Sequence, residues 1–321
     1  MNAAGRVALL AAPRHLEVSA RHVEEPGRGE IRVAIEGCGL CGSNLPVWEG
    51  RDWFDYPLAP GAPGHEGWGR VDAVGEGVTT CALGDRVTLL AEQALADFVV
   101  ASAADAVVLP RSQDASAFPG EGLGCGFNVA ARCDFAPDQT VCVVGLGFLG
   151  AVVTAVAAHA GANVIAVSRR AFSLAVGQAM GARHIVTNRE PWRVVDEVHR
   201  LTGGALCDVV VEAVGTQGPL DLAAQLVRAR GRLAIAGFHQ DGPRTVDIQL
   251  WNWRGIDVVN AHERDSGVRV AGIRDAVAAV SDGWFDPQPL YTHTFPLSHA
   301  DAAFAALADK PDGFLKALVL R

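Results

Sequence analysis

The sequence predicts an α/β protein in which a doubly wound, Rossmann-type parallel sheet is joined to a second, mostly β part. Two observations predict it. Residues 140–170 read as a strand, a glycine turn, a helix and a second strand, and short apolar strands keep alternating with helical stretches after them. The segments legible before them, 6–18, 30–36 and 68–74, are strands set between glycine and proline turns.

Composition bounds the classes open to the chain. Its 321 residues suit two domains, and 50% hydrophobic residues are enough for two cores. No apolar stretch reaches the ~18 residues that a membrane span requires. The N-terminal apolar run is short, with Pro13, Arg14 and His15 close behind, and reads as a first strand and not a signal peptide. A net charge of −9 with the acids spread out argues against nucleic acid or an anionic membrane as partner. Seven cysteines at irregular spacing do not form a secreted disulfide framework, so a reducing cytoplasm is the expected compartment.

In chain order, strands 6–18 and 30–36 are joined through Pro26-Gly27 and lead into Gly37-Cys38-Gly39-Leu40-Cys41-Gly42-Ser43-Asn44. Cys38 and Cys41 have the spacing of a redox dithiol or of half a zinc knuckle, but no second pair follows at zinc-ribbon spacing. The glycines around Cys41 describe a tight strand-to-loop turn that pushes one thiol into a cleft. The run Gly61-Ala62-Pro63-Gly64-His65-Glu66-Gly67 then opens the alternating strand 68–74, which leads through Gly75 and Gly77 to Gly84-Asp85-Arg86-Val87.

The nucleotide half starts with Val141, Val143 and Val144, which feed the fingerprint Gly145-Leu146-Gly147-Phe148-Leu149-Gly150. The first glycine makes the tight turn, the second lets the backbone approach a pyrophosphate, and the third lets helix and strand pack closely. The phosphates would rest on the helix N-terminus, where N–H groups and the dipole favour anions. The second strand, 163–167, ends in Ser168-Arg169-Arg170. An NAD site usually carries Asp or Glu there for the ribose 2′-OH. With the acid missing and two guanidinium groups placed to receive a 2′-phosphate, NADP is preferred over NAD. Strands at 181–186, 208–214, 232–237 and 256–261, with a helix at 219–228, continue the rhythm. Gly215 and Gly237 fall at strand C-terminal ends, where such sheets bind ligands. The chain closes with a helix at 270–282, a strand at 291–295 and a helix at 297–307.

GLCGSN, GHEGWGRVDAVGEGV, GDRV and GLGFLG, in this order, resemble the zinc-containing medium-chain alcohol and polyol dehydrogenases, from about Glu30 to Lys316. The resemblance implies a GroES-like catalytic domain at 1–122 and 261–321, an NADP-binding Rossmann domain at 123–260 and an active-site cleft between them. It also implies a homodimer paired through the edge strand 256–261, with a tetramer as the larger alternative. Cys41 and His65 would bind a catalytic zinc, and Glu121, 24 residues before the first fingerprint glycine, would be the third ligand, as in the polyol branch. Glu66 would sit beside the metal, Ser43 would move the substrate proton, and Lys316 would contact the cofactor phosphates. Trp48, Phe54, Phe118 and His262 would line the pocket, whereas Cys125 reads as packing. Thiolate, imidazole and carboxylate all suit Zn²⁺, and a catalytic site leaves its fourth position open for a carbonyl or alkoxide oxygen.

Three departures stand out against the family pattern. No cysteine lies between GDRV and the next strand, so the structural-zinc lobe is missing and at most one zinc per chain is expected. Asn44 replaces the acid that orients the ligating histidine, a change of the kind that costs ~10–100-fold in metal affinity or activity. Pro46 replaces the histidine that passes the proton to solvent. The expected function is therefore hydride transfer between NADP(H) and a secondary alcohol or carbonyl, with a polyol or sugar-like substrate as one such molecule. The alternatives are a zinc-free NADPH-dependent enone or quinone reductase of the same superfamily, which tolerates Asn44 and Pro46, and a non-enzymatic NADP-binding redox sensor.

Overall fold

The computed structural model describes residues 4–321. The chain divides into two compact units, one running to Gly124 and resuming over Asp265–Arg321, the other being Cys125–Arg264.

The first unit opens with a hairpin, β1 (Ala4–Ala12) and β2 (His15–His22), and not with the single strand that the pattern of 6–18 predicts. The chain reverses at Pro13 and Arg14, with Arg14 at φ +57. A non-glycine residue in the left-handed region leaves no turn signal in the sequence. Next come β3 (Glu30–Gly39), the short helix α1 (Leu45–Glu49), β4 (Glu66–Val74), β5 (Arg86–Leu89), β6 (Phe98–Ser102) and β7 (Ala106–Val108). Ile31, Val33 and Ile35 alternate into the core of this unit, as a half-buried strand requires. Residues 90–97 join β5 to β6 directly, with no lobe between them. Arg86 of the GDRV motif is a buried structural tie: its guanidinium donates to Glu36 and to the carbonyls of Gln113 and Ser116.

Helix α2 (Gly120–Cys133) leads from the first unit into the second. There, β8 (Thr140–Val144), α3 (Phe148–His159), β9 (Asn163–Ser168), α4 (Ala171–Ala179), β10 (His184–Thr187), α5 (Pro191–Leu201), β11 (Cys207–Glu212), α6 (Gln217–Leu226), β12 (Val227–Ile235), α7 (Ile248–Arg254) and β13 (Asp257–Asn260) follow one another. The six strands form one parallel sheet in the order β10-β9-β8-β11-β12-β13, the doubly wound arrangement. Val141 to Val144 of its central strand are fully buried or nearly so, because helices cover both faces of such a sheet. The strand predicted at 232–237 starts earlier, at Val227, and ends before Gly237.

The chain returns to the first unit with α8 (Ser266–Ser281), β14 (His293–Pro296), α9 (Ala300–Asp309) and β15 (Ala317–Leu320). Strand β15 pairs with the end of β3, with Leu318 opposite Gly39, while Glu66 of β4 pairs with Gly39 from the other side. Three strands thus deliver side chains to one place, the C-terminal end of β3. Among the described residues, no helix is long and apolar enough to cross a membrane.

Candidate active site

Cys41 ends the approach from β3 and precedes a one-turn 3-10 helix, Gly42–Asn44. Asn44 is buried and pins this turn: its Oδ1 accepts from the Cys41 N–H at 2.9 Å, and its Nδ2 donates to the Pro63 carbonyl at 2.9 Å. Ser43 lies half-buried in the same turn, and Pro46 occupies the first turn of α1, where its fixed φ suits helix initiation. His65 immediately precedes β4, and Glu66 is the first residue of that strand. Ligand atoms of Cys41, His65 and Glu66 all lie within 4.8 Å of one another. Glu121, in the first turn of α2, brings Oε2 to 3.9 Å from Nε2 of His65.

The charges around this cluster balance. Glu66 is fully buried, and Lys316 Nζ lies 2.5 Å from both of its oxygens. Glycine makes the space: a Cβ on Gly39 would fall 2.1 Å from Oε2 of Glu66, and one on Gly122 would fall 2.8 Å from Oε1. Lys316, expected at the cofactor phosphates, is itself buried and commits its ammonium to Glu66. Burial pulls the Lys316 pKa down, but the charges of Glu66 and Cys41 outweigh it and raise the pKa. Arg269 of α8 donates to Oε1 of Glu121 at 3.0 Å.

The ligand atoms of Cys41 and His65 lie within 4.8 Å of each other. Burial works against both charges, yet each partner stabilises the other's, so the Cys41 thiol is held below its ordinary value and His65 is raised to about 10. Cys38 is the opposite case: burial pushes it up to about 12, its Sγ donates to the Gly39 carbonyl, and it remains a neutral thiol. The two cysteines of the C-x-x-C spacing therefore have different chemistry. Nδ1 of His65 lies 3.2 Å from the Pro63 carbonyl and 3.2 Å from Nδ2 of Asn44. A carbonyl only accepts and an amide nitrogen only donates, so the two neighbours select opposite tautomers. In the neutral form that a metal ligand needs, donation from Nδ1 to Pro63 would leave the Nε2 lone pair on the side of Glu121.

The fingerprint of the second unit has the geometry its glycines call for. Gly145 takes φ +104, and a Cβ there would lie 2.4 Å from Val214; a Cβ on Gly150 would lie 1.9 Å from the Gly145 carbonyl oxygen. Around Gly147, which caps α3 with no side-chain bond to the helix, nothing stands within 4 Å of an added Cβ. Leu146 is buried in the core of this unit, so only its backbone faces the turn, while Phe148 and Leu149 are half-buried in the first turn of α3. Ser168 ends β9, and Arg169 beside it is exposed. Arg170 is instead turned back onto α4, with Nε and Nη2 on Ser173 Oγ at 3.1 and 3.0 Å. Gly215, at φ +87, and Gly237 meet so closely that a Cβ on Gly237 would be 2.1 Å from the Gly215 nitrogen. Beneath them, buried Glu212 accepts from the N–H groups of Val214 and Gly215 and from His239, which Arg244 braces in turn. Sequence reasoning passed over this network, because no motif announces it.

Residues 27–169 match the alcohol dehydrogenase GroES-like domain family, and residues 149–269 match the zinc-binding dehydrogenase family. An alcohol dehydrogenase of Moraxella sp. is 30% identical over 255 residues, covering 70% of this chain and 74% of its own length. The chain belongs to the zinc-type medium-chain dehydrogenase/reductase superfamily. A sorbitol dehydrogenase of Halalkalibacterium halodurans is 25% identical over 91% of this chain and 92% of its own. In fold, this superfamily member resembles an alcohol dehydrogenase of Escherichia coli solved with NADH, with a TM-score of 0.88 at 23% identity over 99% of both chains.

The donor set fits the metal that characterises the superfamily. A thiolate, an imidazole nitrogen and a carboxylate oxygen are ligands that Zn²⁺ accepts, and a third protein ligand still leaves a catalytic position open. Of the residues expected to line the pocket, Phe118 is fully buried and Trp48 stacks on Phe304 in the core of the first unit. Phe54 packs half-buried against that core, and His262 stacks on Phe238 in the second unit. The contact of Arg269 with Glu121 and that of Lys316 with Glu66 were not legible in the sequence: both cations lie outside any motif, and only the returning chain brings them to these carboxylates.

Proposed function

We propose that this protein is a zinc-dependent oxidoreductase that moves a hydride between NADP(H) and the carbon of a secondary alcohol or carbonyl, with polyols and sugar-like alcohols as the substrate class. The observation that carries the reading is the gathering of Cys41, His65 and Glu66 within 4.8 Å of one another, with Glu121 Oε2 at 3.9 Å from His65 and Lys316 beside Glu66. Cys41, His65 and Glu121 would hold the zinc. When bound, zinc supplies the positive charge that favours an alkoxide or polarises a carbonyl. Ser43 would take the alcohol proton; Pro46 offers no onward group, so solvent would complete the path. Lys316 offsets the charge of the buried Glu66, so that no net negative charge is added next to the reacting oxygen.

For the cofactor, the open approach at Gly147 supports a pyrophosphate seat on the N-terminus of α3. The exposed Arg169 and the missing acid at the end of β9 support a 2′-phosphate, hence NADP. Arg170, held by Ser173, is the weaker half of that pair. A homodimer through the edge strand β13 is the proposed assembly.

Two measurements test this reading. Protein purified without chelator should carry about one zinc per chain, as a single three-ligand site implies, and His65→Ala should lose it. Zinc near zero that added metal does not restore would overturn the metal-assisted mechanism. That result selects the zinc-free reductase of an activated C=C bond, the reading favoured by the Asn44 amide beside Nδ1 of His65. In a fluorescence titration NADPH should bind at least ~10-fold more tightly than NADH, and Arg169→Ala should erase the difference. Equal binding in the wild type would refute the NADP assignment.

A further inference from the structure

The turn after β11 is held by a closed circuit of hydrogen bonds. Glu212, the last residue of β11, is fully buried, and its Oε1 accepts from the N–H groups of Val214 and Gly215 at 2.8 and 2.9 Å. Its Oε2 lies 2.9 Å from Nε2 of His239. On the far side of the imidazole, Arg244 Nε donates to Nδ1 at 2.9 Å, and Nη2 of the same guanidinium donates to the Gly215 carbonyl at 3.0 Å. A guanidinium only donates, so Nδ1 accepts, and the imidazole proton sits on Nε2, directed at Glu212. Gly215 is thus gripped at its N–H by Glu212 and at its C=O by Arg244, with His239 joining the two. The side chains of His239 and Arg244 are only 14% and 15% exposed. Asp241 and the Gly242 carbonyl also accept from Arg244 and brace it from the solvent side.

This circuit stands where β8, β11 and β12 end, and backbone meets backbone there. A Cβ on Gly237 would lie 2.1 Å from the Gly215 nitrogen and 2.6 Å from Oε2 of Glu212, and one on Gly145 of the fingerprint would lie 2.4 Å from Cγ2 of Val214. The turn at 213–216 is therefore a wall of the fingerprint seat. In the sheet order β9-β8-β11-β12, the end of β9 with Arg169 lies on one side of the fingerprint, and Gly215 and Gly237 lie on the other. A dinucleotide with its pyrophosphate on the fingerprint and its 2′-phosphate at Arg169 extends its nicotinamide half across the ends of β11 and β12. We propose that His239 and Arg244 are positioning residues for that half: with Glu212 they fix the Gly215 turn and so hold the backbone against which the nicotinamide nucleotide lies. The proposal rests on the dinucleotide reading above. It goes beyond that reading in giving a task to the loop between β12 and α7, which supplies no fingerprint residue.

The test is calorimetric titration of the full-length protein with NADPH and, separately, with adenosine 2′,5′-bisphosphate, which carries the 2′-phosphate half alone. His239→Phe, which keeps an aromatic ring but neither nitrogen, and Arg244→Gln should each weaken NADPH binding ~10-fold, the scale of one well-placed hydrogen bond. Both should bind adenosine 2′,5′-bisphosphate as wild type does. His239→Gln, whose amide offers one donor and one acceptor as the imidazole does, should recover part of the NADPH affinity. Once His239→Phe has opened the circuit, adding Arg244→Gln should cost little more. The melting temperature of the cofactor-free protein is the control for folding. If the variants bind NADPH as wild type does, or lose both ligands in equal measure, the positioning role is refuted and the cofactor reading stands. If wild type binds neither ligand, both fall together.

Discussion

Asp97 shows how a single pairing becomes a pH dependence. It accepts from the backbone and side-chain nitrogens of Arg6 at 2.8, 3.1 and 2.9 Å, and Arg321 approaches at 3.5 Å. Burial alone would raise its pKa, but the Arg6 hydrogen bonds and charge outweigh it and hold the carboxyl below its usual value. A lowered carboxylate gives stability that is present above the unfolded pKa, about 3.9, and is lost as pH falls through the folded one. Asp97→Asn should therefore cost about 1 kcal/mol at neutral pH, a modest figure because the Arg6 side chain is 47% exposed. The gap from wild type in urea midpoints should close below about pH 4; a constant gap across that range would show that the pair carries no charge-dependent stability. In the candidate site, Cys41, His65 and Glu121 were expected from family spacing, because the glycines and the order of the motifs around them are visible in the sequence. Their partners were not: Lys316 and Arg269 act on Glu66 and Glu121 across 250 and 148 positions of sequence, and only folding sets such distances.

Individual elements were legible where local rules dominate. The fingerprint turn is the clearest case, because its three glycines answer to three different constraints that substitutions can separate. Gly150→Ala would drive a Cβ into the Gly145 carbonyl at 1.9 Å, so both melting temperature and NADPH affinity should drop, the former by several degrees for a strain of about 1–3 kcal/mol. Gly147→Ala meets no protein atom within 4 Å, so the protein should melt as wild type does while NADPH binding weakens ~10-fold or more. Wild-type NADPH affinity in Gly147→Ala would mean that no pyrophosphate approaches there. The hairpin of β1 and β2 escaped notice because Arg14 adopts a positive φ that side chains rarely take, and its alternation looks like one strand. β12 was shortened for a related reason: polar Arg228 and Arg230 interrupt its start, although Cys207 and Val227 already pair there.

For the whole molecule, the sheet of the second unit ends in an edge strand, β13, with Val258 36% exposed. A nearby turn of α7 carries Trp253 at 88% exposure. Unpaired strand edges invite pairing with another chain, and sedimentation equilibrium should show a species of twice the 33.6 kDa chain mass. A single 33.6 kDa species at every concentration would rule out the proposed dimer.

The sequence alone determined the α/β class, the succession of strands and helices after the fingerprint and the residue types of a candidate metal site. Those depend on periodicity, glycine placement and ligand chemistry, which are local properties of a chain. Tertiary structure decided the rest. It lowered the Cys41 thiol below its ordinary value and raised that of Cys38, since His65 stands by one and burial dominates at the other. It moved Lys316 from an expected phosphate contact to a carboxylate, and it set Arg269 against Glu121. Charge and burial are properties of neighbours in space, and a buried carboxylate persists only where the fold brings a cation to it.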